Sequence, residues 1–292
     1  MSQLIGFIVV CTLIGIGLFA TGAEGVLSAL PFELSLIGGA ALGTLMIGNS
    51  GDVTRGALGG LVRAVRGSRW RSSDYASLLG VLGELGRRIR RNGFVSIDGD
   101  LEAPETSKIF AAASRLEDDT PVRDLIADAL RLCSLDPSNP ARAIEQMDRS
   151  IEQTVSARMR SVAALQTVAD ALPALGIVAA VLGIIKTMTA IDAPSATVGA
   201  MVASALLGTF LGVFLSYGLV GPLANRFGQV VEEEAVALEV VRTYLTQYIA
   251  GASSQAAMDV ARACIPRGVQ PDLEMLDREA QQLRFRVASK AA

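Results

Sequence analysis

The sequence predicts an all-α integral membrane protein with four transmembrane helices and a helical cytoplasmic domain between the second and the third. Three observations lead there. Four apolar runs carry almost no charge, and roughly twenty residues of helix cross a hydrocarbon core about 30 Å thick. Lys and Arg are confined to two stretches: 17 of 26 lie between Arg55 and Arg160 and 8 between Arg226 and Lys290, with Lys186 alone elsewhere. Between the runs, apolar residues recur every three or four positions, as on one face of an amphipathic helix. Since basic residues flanking spans stay in the cytoplasm, the chain divides into residues 1–51 (two spans), 52–165 (cytoplasmic domain), 166–222 (two spans) and 223–292 (cytoplasmic tail).

Composition narrows the chemistry. Of 292 residues, 51% are hydrophobic and 19% charged, a balance more apolar than most soluble domains. The chain contains no histidine, which excludes a Ser-His-Asp triad, a Cys-His pair and a His-ligated metal. Cys11, Cys133 and Cys264 are scattered without a CxxC spacing and fit buried thiols better than a disulfide or zinc framework. Neither an enzyme, a cofactor, a metal centre nor a nucleic-acid partner is expected.

Residues 4–20, LIGFIVVCTLIGIGLFA, form the first run. The following TGA faintly resembles a cleavage site, but no basic residue precedes the run, so a first membrane helix with its N-terminus inside is expected. After a turn around Pro31, residues 34–50 return to the cytoplasm, with Gly38, Gly39, Gly43 and Gly48 read as close-packing positions. Arg55, Arg63, Arg66, Arg69 and Arg71 mark the inner interface. The short loops near residues 22–33 and 191–198 carry only Glu24, Glu33 and Asp192 and should face outside.

In the soluble part, Ser73 or Asp74 can cap a helix with Leu78, Leu79, Leu82, Leu85 and Ile89 on one face, ending near Asn92-Gly93. Its last turns carry Arg87, Arg88, Arg90 and Arg91, followed by Asp98, Asp100, Glu102 and Glu105. These opposite charges can meet a partner protein or pair with each other. Pro121 opens a further helix, and Pro140 opens one whose apolar positions Ile144, Met147, Ile151, Val155, Met159 and Val162 share a face. With no breaker before Pro173, it should run on into the third span.

The last two runs, ALPALGIVAAVLGIIKTMTA and GAMVASALLGTFLGVFLSYGLVGP, form a hairpin around which the chain is organised. Pro173 and Pro222 sit near their cytoplasmic ends, where each removes a helix hydrogen bond and favours a bend. Gly176, Ala179, Ala180 and Gly183 on one helix, and Ala203, Gly208, Gly212 and Ser216 on the other, form small-residue faces suited to packing against other helices. Lys186 sits near the outer end, where it can snorkel to the interface. If the protein conducts an ion, the carboxylate at membrane depth must come from another chain, and Thr209, Ser204, Ser216 and Tyr217 offer only a polar wall. A lone Thr such as Thr209 more often bonds its own helix carbonyl. The fourth span should continue past Pro222, with Glu232, Glu233 and Glu234 on a solvated face, before two shorter helices, the last able to pack on the bundle or on a partner.

Taken together, PALGIVAAVLGI, the GAMVASALLGTFLGVFLSYGLVGPLA run, and the basic helix leading into GFVSIDGDLEAP resemble the flagellar stator family of MotA and its sodium-driven relative PomA over nearly the whole chain. The resemblance implies a ring of five such subunits in the bacterial inner membrane, both termini cytoplasmic. The ring surrounds two copies of a MotB-like partner that supplies the ion-binding aspartate. Ion flow turns it against the rotor protein FliG. Residue by residue, Pro173 and Pro222 match the family's functional prolines, Thr209 its pore-facing threonine, and Arg90 and Asp98 its rotor-facing charges. Asp98 replaces the glutamate usual in MotA, and Ser150 stands where some relatives are acidic, so no role is assigned there. At Ala180 sodium-driven relatives carry a threonine whose oxygen helps replace the ion's water shell, so alanine implies protons. The rival expectations are a three-span ExbB or TolQ-type proton-driven transducer, and a non-conducting membrane scaffold.

Overall fold

The computed structural model describes residues 2–20 and 29–289, which are helical with short connections. The TGA motif and Glu24 lie outside the described residues. In order, the helices are α1 (Ser2–Ala20), α2 (Leu30–Gly48), α3 (Gly51–Arg66), α4 (Ser72–Asn92), α5 (Asp98–Glu102), α6 (Ser114–Asp118), α7 (Thr120–Leu135), α8 (Pro140–Met188), α9 (Ser195–Phe214), a π-helical turn (Leu215–Val220), α10 (Gly221–Ile249), α11 (Ser254–Ala263) and α12 (Leu273–Ser289). Single 3-10 turns at Phe94–Ile97 and Phe110–Ala112 break the acidic stretch. Among the described residues, three stretches are long and apolar enough to cross a membrane, namely α2, α8 and the run Ser195–Ile249, and α1 holds the shorter apolar segment Ile5–Gly17.

The chain forms two compact units, Met1–Gly67 with Ala157–Val230, and Ser68–Ser156 with Val231–Ala292. In the first unit α8 and α9 approach at backbone distance. A Cβ added to Gly176 would lie 2.7 Å from the Gly208 carbonyl oxygen and 2.9 Å from the Gly212 Cα, and one added to Gly212 would lie 2.7 Å from the Leu172 carbonyl. Gly183 is held likewise against Ala205. The small faces anticipated as docking surfaces for other helices are therefore spent largely on each other. Van der Waals contact between backbones, which only glycine permits, replaces the hydrophobic drive that is absent in lipid. On the neighbouring α3, Gly56 faces Ser161 of α8 and Gly60 faces the Phe227 ring of α10. By contrast, the glycines of α2 (Gly38, Gly39, Gly43 and Gly48) meet open space within this chain, so the expected close packing there is not formed among the described residues. The second span also begins earlier than expected, because Pro31 fits the first helical turn, where its missing N–H costs nothing.

The second unit is organised on α4. Leu78, Leu79, Leu82, Leu85 and Ile89 are all buried, as their spacing predicts. Arg71, ahead of the helix, donates its backbone N–H to the Asp74 carboxylate at 2.9 Å, so Asp74 closes the N-terminus from the third helical position rather than as the cap itself. Gly93 ends the helix at φ 74°, a left-handed conformation in which its N–H still reaches the Ile89 carbonyl. Met147 of α8 is buried in the same core, with Ile144, Ile151 and Val155 packed against it. Within this unit α8 and α10 are tied by Arg242, which donates to both Asp148 oxygens. The tail folds back: Leu283 of α12 is buried, and Ser77 on α4 donates to Glu279 at 3.2 Å. The run of glutamates on α10 departs from the expected solvated face. Glu232 and Glu233 are exposed, but Glu234 is only 5% exposed, because successive helical residues turn through about 100° and the third faces inward between Val231 and Ala237.

The glycine crossing is testable. Gly176→Ala would push backbone against backbone and cost about 1–3 kcal/mol. At roughly 2–4 °C per kcal/mol for a chain of this size, its melting temperature in detergent should fall by several degrees. Gly38→Ala, facing open space, should leave the melting temperature unchanged. Equal effects would show that the crossing does not hold the pair together.

Candidate ion pathway and cytoplasmic docking face

The residues anticipated as functional fall into two groups, one in each unit. In the first unit Pro173 lies inside α8, half-buried, and the helix continues through it. Its ring nitrogen has no hydrogen to give the Ala169 carbonyl, so this turn is held by fewer bonds than its neighbours. Next to it, Leu172 offers its carbonyl to the glycine crossing. Half-buried Ala180 lies on the same face, its backbone N 3.2 Å from where a Gly208 Cβ would sit, and half-buried Thr209 follows directly on α9. The crossing thus places Ala180 beside the backbone that carries Thr209.

Pro222 is treated differently from Pro173. The helix widens into the π-turn Leu215–Val220 immediately before it, and the Gly221 N–H bonds the Ser216 carbonyl five residues back. A proline cannot donate to the carbonyl four residues back and its ring crowds that carbonyl, so widening the turn removes the clash without breaking the helix. Ser216 is fully buried there. The bend expected at Pro222 thus takes the form of an extra residue in the turn. Pro222 itself is exposed and borders an apolar cavity of about 470 Å³ with Phe7, Val10, Tyr217 and Arg226.

In the first unit one ionisable side chain lies elsewhere than the sequence suggests. Glu33, expected in an outer loop, lies in the first turn of α2 and is only 4% exposed. Its Oε2 is fully buried without a hydrogen-bond partner and would stand 3.1 Å from a Cβ at Gly208. The apolar helices are thus not devoid of buried carboxylates. A signal for this existed: a proline at the start of a helix puts the acid two residues later in the first turn, where the helix dipole favours negative charge.

In the second unit, the arginines are shared between internal pairs and an open face. Arg87 and Arg88 both bind Glu84, at 2.9 Å and 3.3 Å, and Arg88 reaches Asp100 at 3.9 Å. Arg90 is exposed, donates to the Ala252 carbonyl at 3.0 Å and lies over the Tyr248 ring at 6.0 Å. Tyr248 in turn donates to the Gly86 carbonyl at 2.8 Å, so Arg90 is held by a packed neighbour. Asp98 opens α5 and is exposed. Nearby, Arg90, Phe94, Cys133, Pro137 and Tyr248 line a groove of about 280 Å³, with Val95 82% and Leu135 77% exposed. The alternatives left open for the acidic stretch therefore divide by residue: Asp100 pairs with Arg88, while Asp98 stands free on the surface.

The comparisons with known proteins identify the family and the fold. Residues 117–240 match the MotA/TolQ/ExbB proton channel family, a class of non-enzymatic membrane ion channels. Residues 4–93 match the model for the motility protein A N-terminal region, which separates the chain from the ExbB and TolQ branch. Over 286 residues, 97% of this chain and 96% of the relative, it is 34% identical to motility protein A of Salmonella typhimurium, and equally so to that of Escherichia coli K12. The chemotaxis protein LafT of Vibrio parahaemolyticus is 34% identical over 258 residues, 88% of this chain and 90% of that one. The fold is that of the MotAB structure from C. jejuni (TM-score 0.70, 18% identity, 91% and 96% of the two chains) and of the flagellar MotAB stator complex from Bacillus subtilis (0.65, 17%, 91% and 97%). The chain belongs to the motility protein A family of flagellar motor stator subunits.

Cys133 reports on the groove. Burial holds its thiol up at about 11, since the apolar surroundings disfavour the thiolate. At pH 8 its alkylation by N-ethylmaleimide should be much slower than that of exposed Cys264, and should accelerate as the pH rises toward that value. Equal rates at pH 8 would contradict a closed packing behind the groove.

Proposed function

We propose that this chain is the ring-forming subunit of a proton-driven flagellar stator. In this reading α1, α2, the outer part of α8 and α9 are four spans of the bacterial inner membrane, with both termini in the cytoplasm. The confinement of basic residues to the two segments read as cytoplasmic supports that topology. Five copies surround two copies of a MotB-like subunit, whose aspartate binds the ion, and the cytoplasmic unit engages the rotor protein FliG through Arg90 and Asp98.

The observation that carries the proposal is the glycine crossing, bordered by Pro173 on one helix and followed by the π-turn before Pro222. Two backbones in contact move together. Turns short of hydrogen bonds are where a helix bends at least cost. Together they give a wall that can shift when the charge of the partner's aspartate changes, and Pro173 and Pro222 become hinges. Thr209 supplies a hydroxyl beside the path. Ala180 presents only a methyl group, which suits a proton passed between titrating groups and gives no oxygen to replace the water shell of sodium.

Two experiments test this reading. Pro173→Ala restores a helix hydrogen bond and should leave the protein in the membrane, co-purifying with its partner, while motility falls severely; normal swimming would rule out the hinge. Combined Arg90→Glu and Asp98→Lys substitution should reduce torque while proton flux through the complex is kept. Parallel loss of flux would mean that the charges act through folding.

A further inference from the structure

The buried carboxylate of Glu33 has no part in the pathway derived so far. It is more than nine-tenths buried, and its Oε2 finds no donor. It lies on a cavity of about 220 Å³ lined by Phe32 and Leu36 of α2, by Ala179 and Lys186 of α8, and by Ser204 of α9. Among the described residues, Lys186 is the other ionisable group on this cavity; the α9 residues on it are Met201, Ser204 and Ala205. Gly208 makes the position possible, because any side chain there would occupy the space next to Oε2.

An ionised carboxylate away from water and without a donor is strongly disfavoured, and it is relieved by taking up a proton or by drawing a cation close. An ionisable residue at membrane depth is accordingly a functional site by default. Lys186 lies on the same cavity as the carboxylate. A buried carboxylate that opens on a cavity is suited to accept and release a proton there.

We propose that Glu33 is a proton-binding site of this chain, a loading station at the α2/α8/α9 junction separate from the carboxylate supplied by the partner. Hydronium gives its proton to a Glu33 oxygen, forming the carboxylic acid and releasing water. Transfer to a further water regenerates the carboxylate. Ser204 lines the cavity and is placed to hold a water there. The proposal rests on the proton-driven reading above.

The test uses the full complex of this chain with its MotB-like partner in proteoliposomes. Infrared difference spectroscopy across a pH titration is expected to show a protonated-carboxyl band that disappears in Glu33→Gln and shifts in Glu33→Asp. Proton flux should fall several-fold in Glu33→Gln and recover in part in Glu33→Asp. A band and a flux that are both unchanged in Glu33→Gln would overturn the proposal. Co-purification of each variant with the partner checks assembly, and the Glu33→Asp band still reads the site if Glu33→Gln does not assemble. If the native complex carries no flux at all, the proton-driven reading fails, whereas the band alone continues to decide whether Glu33 binds a proton.

Discussion

The contact between the backbones of α8 and α9 is the constraint on which the membrane-embedded unit depends. In lipid, apolar side chains gain little by leaving one apolar environment for another, so helices associate through close van der Waals contact and few hydrogen bonds. Gly176, Gly208 and Gly212 let the chains approach until the Leu172 and Gly208 carbonyls touch the opposite helix. A methyl group at any of them would open the crossing. Three of the residues proposed for ion passage sit on or beside this contact: Ala180 against Gly208, Thr209 next in sequence, and Pro173 beside Leu172.

A rigid crossing needs compliant ends if it is to move as a body; in the proposed mechanism the two prolines are those ends, and the helix accommodates each by different means. Pro173 removes one bond from a helix that otherwise continues unchanged. Pro222 lies behind a widened turn in which Gly221 bonds Ser216, so that an extra residue absorbs the misfit. Widened turns of this kind occur often at functional sites. The second unit, by contrast, is an ordinary packed helical core around α4, with Arg90 held in place by Tyr248 and Asp98 exposed.

Much of this architecture was legible in the sequence, and the parts that were not share a cause. Period and apolar length mark helices reliably, and so the buried face of α4, the entry of α8 at Pro140 and the continuation of α10 beyond Pro222 follow from pattern alone. Sequence spacing does not say which neighbour a face meets. The glycines of α2 and of α8 look alike on paper, yet only those of α8 and α9 touch backbone within this chain. The same limit hid Glu33 and Glu234. An acid at the edge of an apolar run resembles a loop residue, and a third glutamate in a row resembles its exposed neighbours, until the helix start and the rotation about its axis are fixed. The π-turn was half legible, since a proline announces a departure from the regular helix but not which one.

The central claim is that proton flow through a complex containing this chain drives rotation. Swimming speed, measured in a strain deleted for the gene and complemented with it, while the proton gradient and sodium are varied independently, tests that claim most directly. The account predicts loss of motility on deletion and a restored speed that follows the proton gradient and ignores sodium. Swimming that survives deletion would contradict the stator assignment, and a speed that follows sodium would contradict the role given to Ala180.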